Sequence, residues 1–129
     1  MEFLLDTHIL IWALGKPSRL SAGIQAMLKS PENQIAFSAA SIWEIAIKAR
    51  LGKTDFAVRP EVVAHEARRI GFAELPIYSD VAIRVADLPM HHGDPFDRLL
   101  VVQAMAGPMR LLTADTVLTQ YTELVTLIG

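Results

Sequence analysis

At 129 residues, 52% hydrophobic against 20% charged, the chain is the size of one domain and can bury a core without covalent staples; residues 1–129 are read as that domain. The sequence has no cysteine, which excludes disulfides, thiolate zinc sites and a cysteine nucleophile and fits a reducing cytoplasm. A net charge of −2 gives no global attraction for nucleic acid, and no apolar run approaches the ~20 residues of a membrane span, so a cytoplasmic, membrane-free protein is expected.

Phe3-Leu4-Leu5 reads as a short buried strand ending at Asp6, and Ile9 to Leu14 as a turn or two of helix halted by Gly15 and Pro17. This apolar start does not suit a signal segment, because Glu2 precedes it and Asp6 and His8 interrupt it. Ser21 to Lys29 is helical in spacing, Ile35-Ala36-Phe37 is a second strand, and a helix over 39–51 follows with Gly52 as its stop. Pro60 to Ile70 has an apolar side of Val62, Val63, Ala67 and Ile70 opposite Arg68 and Arg69. A third strand over 72–75 and a helix over 79–88 precede a loop at 90–93. The apolar helix 96–106, a strand at 110–112, a turn with short helix at 113–119 and a last strand at 124–127 complete the chain. This alternation predicts an α/β/α sandwich around a central, mostly parallel sheet of four to five strands. Ligands of such sheets bind beyond the carboxyl ends of the strands.

Asp6, Glu44, Asp97 and Asp115 each stand where a short apolar run gives way to a helix, and all four fall on that side. Each has a structural use of its own. Asp6 and Asp115 suit helix N-caps, Ser41 and Glu44 fit a capping box, and Asp94-Pro95-Phe96-Asp97 fits a capped helix start. Glu44 also precedes Lys48 by one helical turn, as in an ordinary exposed pair. Together the four acids mean more. Glu44 and Asp97 lie in helices otherwise too apolar to be solvated. Carboxylates ~5 Å apart at an effective dielectric of ~20 repel by roughly 3 kcal/mol per pair. Such a group either holds protons or surrounds a cation. No lysine follows Lys53, so the expected cation is Mg²⁺ or Mn²⁺, which take oxygen ligands. Hard cations held by carboxylates suit phosphodiester hydrolysis by a metal-activated water. If the four acids hold cations, 10 of the 14 acidic residues remain against 12 basic, so the overall charge no longer opposes a nucleic-acid substrate.

Phe3-Leu4-Leu5-Asp6-Thr7-His8, the segment around Trp43-Glu44-Ile45, the run from His92 through Asp94-Pro95-Phe96-Asp97-Arg98 to Leu100, and Leu112-Thr113-Ala114-Asp115 resemble a PIN domain of the VapC type, the toxin of bacterial and archaeal toxin–antitoxin pairs. The resemblance spans nearly the whole chain, and Asp-Pro-Phe-Asp-Arg is its most specific run. It implies a Mg²⁺-dependent endoribonuclease in which Asp6, Glu44 and Asp97 bind metal and Asp115 completes the site, with Asp94 left to capping. It also implies that the hydroxyls of Thr7 and Thr113 orient carboxylates, that the protein is a homodimer, and that a small VapB-type antitoxin covers the acidic groove. The apolar surplus in the composition fits both associations.

Other residues carry two readings each. His92, with His91, either touches RNA phosphate or is an exposed loop histidine; Arg98 either faces the phosphate or pairs with Asp94. Lys48, Arg50 and Lys53 either steer RNA or are a solvated helix end. Trp12 and Trp43 either stack bases or pack in the core or an interface. A haloacid-dehalogenase-like phosphatase also begins with a strand ending in aspartate, but it needs a second aspartate where His8 stands and a late lysine. A receiver-like signalling module lacks that lysine too. The remaining alternative is a catalytically inactive PIN-type binding module.

Overall fold

The computed structural model describes residues 1–128. Five strands, β1 (Glu2–Leu5), β2 (Gln34–Ser38), β3 (Ala73–Leu75), β4 (Arg110–Thr113) and β5 (Val125–Leu127), form one sheet in the order β3-β2-β1-β4-β5. Every pairing is parallel, with Leu5 in register with Phe37 on one side and Leu112 on the other. The helices are α1 (Thr7–Gly15), α2 (Ala22–Lys29), α3 (Ala39–Arg50), α4 (Pro60–Arg69), α5 (Ser79–Ala82) and α6 (Pro95–Ala106), with 3₁₀ turns between several of them.

Alternation along the strands sends side chains to two cores. Phe3 and Leu5 of β1, with Ile35, Phe37 and Leu112, pack against Ile9 and Leu10 of α1, Ile45 of α3 and Val63 and Ala67 of α4. Leu4, Ala36, Leu111 and Val125 take the opposite face, against Leu100, Val101 and Ala104 of α6. Strands covered on both faces must be apolar throughout, which is why β1 and β4 read as unbroken runs. Gly52 closes α3 at φ +76°, a conformation that costs a residue without Cβ nothing.

The expected helix over 79–88 is only partly formed. It is α-helical through Ala82 and then tightens to 3₁₀ over Ile83–Asp87. Its last carbonyls are taken from outside: the Arg98 guanidinium accepts no bond of its own and donates to Val85 O at 3.0 Å and Leu88 O at 3.3 Å. Successive strands run from β1 outward to β3, and the chain then crosses back to place β4 on the far side of β1. The order therefore reverses between β1 and β4, and the crevice beyond their carboxyl ends is where a ligand site is expected.

Candidate metal centre

Asp6 follows β1 directly and caps α1, its Oδ1 accepting the Ile9 amide at 2.9 Å. Its Oδ2 accepts the Thr113 hydroxyl at 2.5 Å. The Thr113 oxygen accepts the Asp115 amide at 3.0 Å, so one threonine ties the acid after β1 to the acid after β4. Asp115 then accepts the Val117 amide at 3.0 Å and caps the turn that follows.

Glu44 reaches the same place from α3. The expected capping box between Ser41 and Glu44 does not form, because β2 runs straight into the helix and Ser38 is the cap, accepting the Ala40 amide at 3.0 Å. Glu44 therefore sits in the second turn, 2% exposed. One of its oxygens accepts the Thr7 hydroxyl at 2.5 Å, and the Thr7 and Ser41 hydroxyls bond each other at 2.9 Å. The other accepts the Lys48 ammonium at 2.5 Å. Thr7 and Thr113 thus each orient one carboxylate from its own strand or helix end.

Asp94 caps α6, its Oδ1 accepting the amides of Phe96 at 2.8 Å and Asp97 at 3.3 Å, while its Oδ2 meets Lys48 Nζ at 3.3 Å. Asp97, in the first turn of α6, turns its Oδ2 to His92 Nε2 at 3.1 Å. The same nitrogen lies 3.0 Å from Asp115 Oδ2. Because His92 Nδ1 accepts the Asp94 amide at 3.3 Å, the neutral ring carries its proton on Nε2 and donates it to these acids.

Asp6, Glu44, Asp94, Asp97 and Asp115 line one open cavity of about 310 Å³ with Lys48, and His8, Trp12 and Asp55 stand at its wall. Burial raises Asp97 to about 8, reinforced in turn by the charges of Asp94, Glu44, Asp6 and Asp115. Burial also pushes Asp6 above its ordinary value, against the hydrogen bonds from Thr113 and Ile9 that draw it down. Asp97 is thus the residue on which all the other acids converge. These five carboxylates, gathered around one cavity with a single lysine, fit a hard divalent cation, and donor atoms of His92, Asp97 and Asp115 all lie within 4.8 Å of one another.

The four acids expected from the sequence share this cavity, and Lys48, Asp94 and, at its edge, His92 bond to them in ways the sequence did not specify. Lys48 is a member of the site rather than a solvated helix end. Its signal was already present, since a buried Glu44 brings the residue one turn on to the same face. His92 joins Asp97 to Asp115 from a loop whose path no local pattern fixes. Asp94 both caps and pairs with Lys48. Arg98, expected at the phosphate or on Asp94, does not pair with Asp94. It is 7% exposed, and its guanidinium donates to the carbonyls of Pro89, Val85 and Leu88 and to the Tyr121 hydroxyl. Trp12 is half-buried beneath the Arg19 guanidinium. Trp43 is 57% exposed and lies edge-on to Phe96, outside the core. Among the described residues no helix is long and apolar enough to cross a membrane.

Comparison with known proteins agrees with this architecture. The PIN domain family pattern matches residues 3–124. Ribonuclease VapC22 of Mycobacterium tuberculosis (strain ATCC 25618 / H37Rv) is 30% identical over 117 residues, covering 87% of this chain and 85% of that protein. Of solved structures, VapBC2 from Rickettsia felis, bound to a DNA fragment from their promoter, matches 98% of this chain and 97% of its own at a TM-score of 0.71 and 16% identity. VapBC-1 from nontypeable Haemophilus influenzae matches 93% and 91% at a TM-score of 0.64 and 18% identity. At such identities the two structures speak for the fold. From β1 to the threshold of β5, and with a VapC relative of nearly equal reach, the chain belongs to the PIN domain family in its VapC type.

Proposed function

We propose that the protein is a Mg²⁺- or Mn²⁺-dependent endoribonuclease, the toxin of a toxin–antitoxin pair, with Asp6, Glu44, Asp97 and Asp115 holding the ion. The observation that carries this reading is the gathering of these acids, with Asp94, around one open cavity, where burial and then the charges of Asp94, Glu44, Asp6 and Asp115 raise Asp97 to about 8. The relative's name, a ribonuclease, supports RNA as the substrate. The VapBC structures that share the fold support a small VapB-type antitoxin as partner. A homodimer working in the cytoplasm completes the proposal.

When bound, the divalent ion lowers the pKa of a coordinated water and stabilises charge on the phosphate oxygens. The chain's own residues supply aim. Thr113 and the Ile9 amide fix both oxygens of Asp6, and Thr7 fixes one oxygen of Glu44, so neither acid is free to turn away. Such outer hydrogen bonds hold a metal site in its working geometry. The cavity is open to solvent, as access for a single strand of RNA requires, and Trp12 stands at its wall.

The test is cleavage of an end-labelled RNA by the purified protein with Mg²⁺ or Mn²⁺, with chelator, and by Asp97→Asn. Cleavage is expected only with metal, and the variant should lose at least ~100-fold, as when a transition-state charge loses its stabilising group. Undiminished cleavage by Asp97→Asn, or cleavage in chelator, refutes the assignment. Tight metal binding with no cleavage of any RNA would instead describe an inactive binding module.

A further inference from the structure

We propose that the Lys48 ammonium stands in for a second metal ion, so that Glu44 is neutralised by Lys48 and the site takes a single divalent cation at its Asp6–Asp97–Asp115 end, a narrower ligand set than the four acids of the metal-site reading. The inference rests on the metal-site reading above and deepens it. Lys48 Nζ lies 2.5 Å from Glu44 Oε2 and 3.3 Å from Asp94 Oδ2, bridging two carboxylates from different helices as a divalent ion would. Two-ion phosphoesterase sites hold their cations about 3.5–4 Å apart, each bridged by acids. Here one of the two positions is filled by the protein's own charge.

The ammonium is also held from its other side. It lies 4.8 Å from the centre of the Phe56 ring and 5.8 Å from that of Phe96, within the ~6 Å range of cation–π attraction. Phe56 is buried and belongs to the core packed beneath this wall. Two acids and two rings leave Lys48 little freedom to swing toward solvent, and a lysine so engaged has little charge left for an RNA phosphate. An ion seeking the Glu44–Asp94 pair must therefore displace a cation already in place. By contrast, no lysine or arginine reaches Asp97, Asp6 or Asp115 among the ion pairs of the described residues.

The test counts ions by calorimetric titration with Mn²⁺ near neutral pH, with free Mn²⁺ measured in parallel by electron paramagnetic resonance. The unaltered protein should bind one Mn²⁺ per chain. Lys48→Met, which keeps the length and loses the charge, should bind two. Lys48→Ala carries the same test should the methionine variant not fold, as shown by a cooperative melt. Two ions on the unaltered protein, or one on both proteins, overturns the role of Lys48 and leaves the metal site standing. No ion on the unaltered protein removes the metal reading as well. If Lys48 instead contacts RNA, its loss weakens RNA binding while the ion count stays at one, which also overturns the inference.

Discussion

The Thr113 hydroxyl does the work of two fasteners, donating to Asp6 and accepting from the Asp115 amide. Valine has the same shape and neither function, so Thr113→Val leaves a buried carboxylate oxygen and a backbone amide without partners. The expected cost is about 2 kcal/mol of stability, read by urea denaturation. Mn²⁺ affinity should fall by roughly 10–100-fold at the same time, because both acids lose their aim. Stability falling with unchanged Mn²⁺ affinity would show that Thr113 holds the fold and not the site. At this scale the sequence was readable where the backbone decides. Asp6 and Asp115 come straight after strands and Asp97 opens a helix, so their neighbourhood follows from the parallel sheet. Lys48 and His92 were harder, because their place depends on which way a long side chain or a loop turns. That is settled by partners more than 40 residues away for Lys48 and Asp94, and more than 20 for His92 and Asp115.

Among the elements, the stretch from α5 to α6 depends most on one side chain. Arg98 gathers the carbonyls of Val85, Leu88 and Pro89, and the Tyr121 hydroxyl that it also touches accepts the His92 amide at 2.8 Å. Through this chain of bonds α6 fixes the loop that presents His92 to Asp97 and Asp115. Arg98→Met keeps the apolar stem but strands three carbonyls, and should cost about 3 kcal/mol, measured by chemical denaturation. Amide hydrogen exchange should quicken at Leu88 and His92 while the strands keep their protection. Faster exchange spread evenly over the sheet would instead mean a general loss of packing. The same contact explains why alternation of strands and helices gave the architecture correctly yet misjudged residues 83–88. Apolar periodicity records which face is covered, whereas the tightening to 3₁₀ is imposed by a guanidinium from another helix.

For the molecule as a whole, the acidic crevice couples folding to pH and to metal. Asp97 keeps its proton up to about 8 when folded but releases it near 3.8 when unfolded, and Asp6 shifts in the same direction. Across that window the folded chain binds more protons, so its stability without metal is full at the acidic end and is lost as pH rises through the folded value. Melting curves in chelator should thus fall from pH 5 to pH 8. Added Mg²⁺ should raise the midpoint more at pH 8 than at pH 5, since the ion replaces the protons. A chelated profile that climbs over this range would mean that the acids are ionised in the folded chain without help. The reversal of strand order has a temporal consequence as well. The first acid of the crevice is the sixth residue and the last is the 115th, and the Asp6 amide bonds to Leu112 O at 3.0 Å. During translation, β1 can pair with β2 early but waits for β4, so a growing chain on the ribosome carries the first acids of the crevice without the last until β4 and Asp115 have been made.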